Sequence, residues 1–479
     1  MHKLVNFIKN NKLFLLGSLV LSWVIFINLF PEGYIISSTD TSQIINIKDN
    51  LWRYFFVFPS WFLYLLFLKF LGYFATSDTF NLTLTLGFLI FGSYLSFYLF
   101  VRLFFKKSDL LIIIFSLLYA LNIFTLYTLT MHGLGYTPFY YLYIFIPLLT
   151  GFFIKFLQTQ KYIYLIYFSL ILFLASVGFC NPAFLLGFIL VLFFLLIFLI
   201  LTKQIIFSKI LLFNLLLITL FSFLVSAFWI FPVIPAMRVG VETLNTTNPT
   251  ELLSTLIGDS NKISDTLGLN NSFKHFFPNR FQYGKILFLK NTFLFLTYLP
   301  IIILILCFIF LKNFNNKKLY FLALFIIILL IMGVAKLIPP FETLNYFIFV
   351  KIWGMNTLRA SDKLFIFLPF FLFLALYIVF SNLYNKGYKK ILYLCLFLFL
   401  ITPLPFYLGK LQQTVGSRLS IGKNYKTSKL TFLVKIPKEY YAIKNFFTHD
   451  NQKYYVAILP RNLGDSGTGS SNFPKWKLS

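Results

Sequence analysis

The sequence predicts an all-α polytopic membrane protein with about 11 transmembrane helices. Three observations carry that reading. Of 479 residues, 59% are hydrophobic and only 11% charged, against about 25% charged in a soluble domain. Mean hydropathy is +0.83. The apolar residues fall in continuous runs close to the roughly 20 residues that a spanning helix needs. They are not the short alternating segments of a transmembrane β-barrel. A cytosolic enzyme, a secreted disulfide scaffold and a disordered chain are excluded. The 67 phenylalanines reflect compositional drift and point to no mechanism.

The first run, 13–30, follows Lys3, Lys9 and Lys12. No small-residue cleavage site comes after it, so it reads as an uncleaved first helix rather than a signal peptide. Further runs follow at 80–101, 110–130, 138–157, 162–178, 182–202 and 210–234. Four more lie at 291–311, 319–338, 364–383 and 391–409. A twelfth run, 54–74, contains Pro59, Lys69 and many aromatics. Charge parity decides its status. If it does not span, the loops on the N-terminal side hold sixteen Lys and Arg and one acid, Asp109. These are Lys3 to Lys12, Arg102 to Lys107, Lys155 and Lys161, Lys203 and Lys209, Lys312 to Lys318, and Lys386 to Lys390. The short opposite loops, 131–137 and 179–181, hold none. Basic residues collect on the cytoplasmic side. Residues 54–74 therefore read as an interfacial helix in the first outer loop, 31–79. The expected location is the cell (plasma) membrane, multi-pass, with a cytoplasmic N-terminus and an extracytoplasmic C-terminus.

The net charge of +27 is thereby explained without nucleic acid, since the cations sit in gaps between spans rather than on one domain face. Cys180, Cys307 and Cys395 have no paired spacing, which argues against a disulfide framework or a zinc site. The tail differs from the rest. Thr431–Pro437 and Tyr454–Pro460 read as strands and Lys438–Asp450 as an amphipathic helix, a short α+β extracytoplasmic tail. Residues 1–410 form the expected membrane domain. Residues 411–479 form the start of an outer domain that is expected to be truncated, because so few elements make no independent core.

Thirteen of the fourteen acids fall outside on this topology. The cytoplasmic loops are short and carry no phosphate-binding glycine motif. Chemistry is therefore expected on the outer face, with a substrate that arrives already activated, for example on a lipid. In the first outer loop, Asp40 follows Ser37-Ser38-Thr39 and precedes Thr41-Ser42. It is either a solvated aspartate or a general base for an acceptor hydroxyl. Asp49 and Arg53 stand at i and i+4 in the same loop, either as a helix-type ion pair or as substrate-binding groups. Arg359 and Lys363 have the same spacing at the mouth of the 364–383 run. They suit a lipid-linked phosphate or simple snorkelling to headgroups. Asp362 reads as a helix N-cap. His132, in the turn Met131-His132-Gly133-Leu134-Gly135, either orients a substrate or is an interfacial residue. Ala227 to Pro232 reads as an aromatic belt with a helix terminator. No metal-ligand spacing is present. Asp40 has no second acid beside it, which suits a metal-independent site better than a divalent-cation one, because a hard cation normally needs several oxygen ligands.

This pattern resembles the GT-C glycosyltransferases, nearest to their arabinofuranosyltransferase-like branch. The resemblance rests on the long outer loop with Asp40, on Asn181-Pro182, and on Ala227-Phe228-Trp229. It extends to Leu358-Arg359-Ala360-Ser361-Asp362-Lys363-Leu364 and to the tail from Val434 to Pro460. It implies a GT-C-like fold and a membrane glycosyltransferase. That enzyme would move sugar from a polyprenyl-phosphate donor to an extracytoplasmic glycan, lipid or protein acceptor. The expected catalytic residue is Asp40. The expected substrate-binding residues are Arg359, Lys363, His132, Asp49 and Arg53, and no cofactor is expected. Many GT-C members carry paired acids in this loop, whereas here Asp40 is followed by Thr41-Ser42. Two alternatives stand beside this reading. One is an O-antigen ligase or polymerase built on the 235–290 loop. The other is a non-enzymatic lipid or polysaccharide transporter or flippase, against which the scarcity of charge inside the spans counts.

Overall fold

The computed structural model describes residues 2–27, 34–36, 66–67, 70, 78–105, 109–122, 124–125, 137–179, 182–245, 299–306, 317–334, 343–344, 347–348, 358, 362–401, 407 and 433–435. The chain divides into two compact units, Met1–Lys435 and Ile436–Ser479, and every described residue lies in the first. The helices are α1 (His2–Ile27), α2 (Asp78–Phe104), α3 (Asp109–Ala120), α4 (Thr137–Thr159) and α5 (Tyr162–Leu174). A 3₁₀ turn, Ala175–Phe179, continues α5. Then come α6 (Pro182–Leu201), α7 (Lys209–Asn245), α8 (Lys317–Val334), α9 (Asp362–Phe365), α10 (Leu368–Asn385) and α11 (Lys389–Ile401). Among the described residues, six helices are long and apolar enough to cross a membrane. The protein is an all-α membrane protein.

Burial separates the centre from the rim. The span Lys363–Asn385 is 94% buried, whereas Lys209–Phe231 is 22% buried. Helix α10 is apolar on every side, as an interior helix must be. It packs against α3, α8 and α11. Helix α4 is the second interior column, flanked by α2 and α5. Phe97, Phe100 and Tyr119 surround Phe370, and Phe105 and Phe115 meet Tyr377, all edge-to-face. Helix α5 shows what lies outside. Leu165, Phe168, Ser169 and Leu172 are buried, while Ile163, Ile166, Tyr167 and Leu170 form an exposed apolar stripe at helical spacing. A helix that is apolar on both faces fits lipid on one side.

One end of the bundle collects the cations. The two-residue link from α4 to α5 turns at Gln160, whose φ is 56°. Lys203 after α6 has φ 53° and Gly387 after α10 has φ 82°, the left-handed termination common at helix C-termini. Gln158 donates from Nε2 to Gln204 Oε1 at 3.3 Å, which joins two of these corners. Lys155 Nζ lies 4.6 Å from the centre of the Phe104 ring, and Arg102 stacks over Tyr98. Arg102, Lys155, Lys161, Lys203, Lys209, Lys386 and Lys390 therefore share one end of the bundle.

Three expectations meet differences. The run 110–130 does not continue as one helix. Helix α3 stops at Ala120, about 18 Å long at 1.5 Å per residue, short of the roughly 30 Å hydrocarbon core. The reason is a polar clasp at Asn122, described below. Pro232 does not terminate its helix, because α7 runs through Pro232 and Pro235 to Asn245. Helix-breaking residues are tolerated where the backbone is better satisfied in helix than bare in lipid. Helix α4 likewise contains Pro147. Third, of the expected strand 431–437, Leu433–Lys435 are described and form a strand, β2, whose partner is β1 (Tyr34–Ile36) in the first loop. They pair antiparallel, with Tyr34 opposite Lys435 and Ile36 opposite Leu433. Of run 54–74, Leu66, Phe67 and Phe70 are described and helical. The Phe67 ring lies 4.2 Å from that of Phe88 on α2. The expected tail elements 438–450 and 454–460 lie outside the described residues.

Candidate functional site

Of the residues expected to carry chemistry, Lys363 is described in full. Asp40, Asp49, Arg53, His132 and Arg359 lie outside the described residues. Lys363 sits in the short helix α9, which starts at Asp362 and leads into α10. Its ammonium lies 4.7 Å from the centre of the Phe184 ring in the first turns of α6. A cation over a ring face gains about 0.5–1 kcal/mol when exposed and about 2 when desolvated, enough to hold the side chain at this corner.

Gly187, one turn further along α6, lets the backbones meet. A Cβ there would lie 3.3 Å from the Lys363 carbonyl oxygen and 3.2 Å from the Phe367 ring. Leu358 and Phe365 are fully buried beneath the corner, and Phe365 packs on Phe124 at 5.4 Å between ring centres. The corner lies where α6 and α10 begin, opposite the end that holds Lys203 and Lys386. A half-buried cation braced on a ring can donate hydrogen bonds to an anion at the mouth of the bundle.

Beside this corner is a polar clasp that the sequence reading missed. Helix α3 ends at Ala120, and its last carbonyls are taken by side chains. Tyr143 of α4 donates its hydroxyl to Tyr119 O at 2.8 Å, and Tyr119 donates its own to Tyr143 O at 2.8 Å. The two rings stack at 4.4 Å. Asn122 Nδ2 donates to Tyr119 O at 2.6 Å and to Tyr143 Oη at 3.0 Å. Thr125 N donates to Asn122 Oδ1 and Asn122 N to Thr125 Oγ1, both at 3.0 Å. Thr125 Oγ1 also reaches Ala120 O at 3.0 Å. Asn and Thr side chains compete with helix for backbone partners, and buried carbonyls released at a helix end need such partners. The available signal was Asn122-x-x-Thr125 inside an otherwise apolar run.

Among the described residues, no group of three or more His, Cys, Asp or Glu is placed to hold a metal ion. No family model matches the chain, and no curated protein matches it.

Proposed function

We propose that the chain is a membrane glycosyltransferase that moves a sugar from a polyprenyl-phosphate donor to an acceptor on the outer face. The observation that carries this reading is Lys363, braced on Phe184 at the end of the bundle opposite the basic end. A cation there suits a lipid-linked phosphate at the membrane boundary. In the proposed reaction, Asp40 takes the proton from the acceptor hydroxyl. The acceptor oxygen then attacks the anomeric carbon, the bond from that carbon to the phosphate oxygen breaks, and polyprenyl phosphate leaves as the anion. Arg359 and Lys363 neutralise the charge that develops on the phosphate.

Two features support the sidedness that this mechanism needs. The cations that share one end of the bundle fit the cytoplasmic side. The β1–β2 pair joins the first loop to the tail, and paired strands lie on one side of the membrane. An even number of crossings must then separate Ile36 from Leu433. Eleven spans give ten between them, and counting 54–74 as a twelfth would give an odd number. A cysteine at position 106 should therefore resist an impermeant thiol reagent added outside intact cells, while one at 420 should react. Labelling at 106 would reverse the topology.

Arg359→Ala and Lys363→Ala should each weaken use of the donor by roughly 1.5–3 kcal/mol, the worth of a lost charge-assisted hydrogen bond. Lys363→Arg should recover part of the loss. The KM for a polyprenyl-phosphate sugar in proteoliposomes reads this. An unchanged KM in both alanine variants would leave these cations no role beyond lipid contact. One observation favours the transporter or flippase reading instead. Helix α3 breaks inside the bundle at Asn122, and transporters use broken helices to build binding sites.

A further inference from the structure

The link between α6 and α7 is short and tightly built. Thr202 N donates to Phe198 O at 2.9 Å, and Gln204 N and Ile205 N both donate to Leu199 O, at 2.9 and 3.2 Å. These bonds close the last turn of α6 through the left-handed Lys203. Ile205 is buried in the core. Ser208 caps α7, its Oγ accepting from Leu211 N at 3.2 Å. Gln204 donates from Nε2 to Thr202 Oγ1 at 3.1 Å and accepts from Gln158, which ties the link to the α4–α5 corner. What this frame holds outward is apolar. Ile206 is 80% exposed and Phe207 66%. Lys203 and Lys209 stand exposed on either side of them in the chain, and Lys161 and Tyr162 are exposed at the neighbouring corner. Neither stretch, 158–162 nor 202–209, contains an acid.

The link joins two candidate spans, Ala183–Leu201 and Lys209–Phe231, so residues 202–208 lie at a membrane boundary. An apolar tip between cations matches that boundary, with hydrocarbon for the side chains and headgroups for the ammonium groups. We propose that residues 202–208 anchor the bundle in the adjoining leaflet and bind anionic lipid there. Ile206 and Phe207 enter the acyl layer, and Lys161, Lys203 and Lys209 meet headgroup phosphates. Charge selects the lipid. Three cations with no acid in either stretch favour an anionic headgroup over a zwitterionic one, whose own ammonium they repel. Tyr162 adds the aromatic residue typical of this depth. The inference stands apart from the transferase reading, and it needs no assignment of inside and outside.

The test uses the full-length protein in vesicles of equal parts phosphatidylcholine and phosphatidylglycerol, with Cys180, Cys307 and Cys395 replaced by serine. Ile206→Cys, at an exposed position, carries the fluorophore NBD. The quenchers are spin-labelled phosphatidylglycerol, spin-labelled phosphatidylcholine, and iodide on both sides of the membrane. Both lipids should quench the probe more strongly than iodide does. Spin-labelled phosphatidylglycerol should quench at least about threefold more than phosphatidylcholine at low salt, because each cation near an anionic surface gains several-fold in affinity. High salt should narrow that difference. Lys161→Gln, Lys203→Gln and Lys209→Gln together should bring the two lipids to parity. Lys386→Gln with Lys390→Gln, at another corner of the same end, should leave the preference in place. Stronger quenching by iodide would put the tip in water, as for a soluble partner, and would overturn the anchor. Equal quenching by the two lipids without the lysine substitutions would overturn the headgroup site. A preference that survives the triple substitution, or that the double substitution removes as completely, would assign it to the charge of the whole end and overturn the site as well.

Discussion

Gly178→Ala should destabilise the protein by about 3 kcal/mol or more, at the upper end of what overpacking costs. A Cβ at this position would overlap Leu142 Cβ and lie 2.9 Å from Leu142 Cα and 3.0 Å from its backbone N. Those atoms belong to the main chain of α4, an interior column that cannot swing aside as a side chain would. Gly87→Ala supplies the contrast. Its Cβ would meet only Ile25, at 3.4 Å or more, in the middle of α2. There the substitution should be neutral or stabilising by up to about 1 kcal/mol, because alanine loses less backbone freedom in a helix. Thermal melting of the two variants in detergent checks both signs. Equal melting temperatures would mean that the 3₁₀ turn and α4 are not in close contact.

Hydropathy located most helices because it reads where side chains are best solvated. The runs 80–101, 138–157 and 182–202 correspond to α2, α4 and α6. The break at Asn122 was not legible that way, since two polar residues barely alter the hydropathy of a long apolar window. What decides the break is Tyr143, on another helix, whose hydroxyl competes for Tyr119 O. Proline misled in the opposite direction. In water Pro232 would end a helix, but in lipid an unpaired backbone group costs more than a kink, and α7 continues.

The candidate site was legible in part. The four-residue spacing of Arg359 and Lys363 at the mouth of a span marked the corner. Its ring partner, Phe184, is distant in sequence and carries no local signal. The pairing of Tyr34–Ile36 with Leu433–Lys435 escaped for the same reason. Alternation indicates that a segment is extended but does not identify its partner. From sequence the tail therefore reads as an isolated beginning, and the pairing of Leu433–Lys435 with the first loop comes only from the structure.

Asp40→Asn should lower glycosyl transfer by roughly 10²–10⁴-fold, the usual contribution of a positioned proton acceptor. The amide is nearly isosteric with the carboxylate, so the variant should insert and melt like the parent. It cannot accept the proton of an attacking hydroxyl. Asp49→Asn should change transfer far less if Asp49 only pairs with Arg53, because an exposed pair is worth about 0–1 kcal/mol. Both residues share one loop and one charge, so the contrast separates chemistry from local electrostatics. The most direct measurement is transfer of labelled sugar from a panel of polyprenyl-phosphate donors in proteoliposomes, for the parent and both variants. The account predicts transfer by the parent and by Asp49→Asn, with loss in Asp40→Asn. Equal transfer by the parent and Asp40→Asn, or no transfer from any donor by the parent, would contradict it.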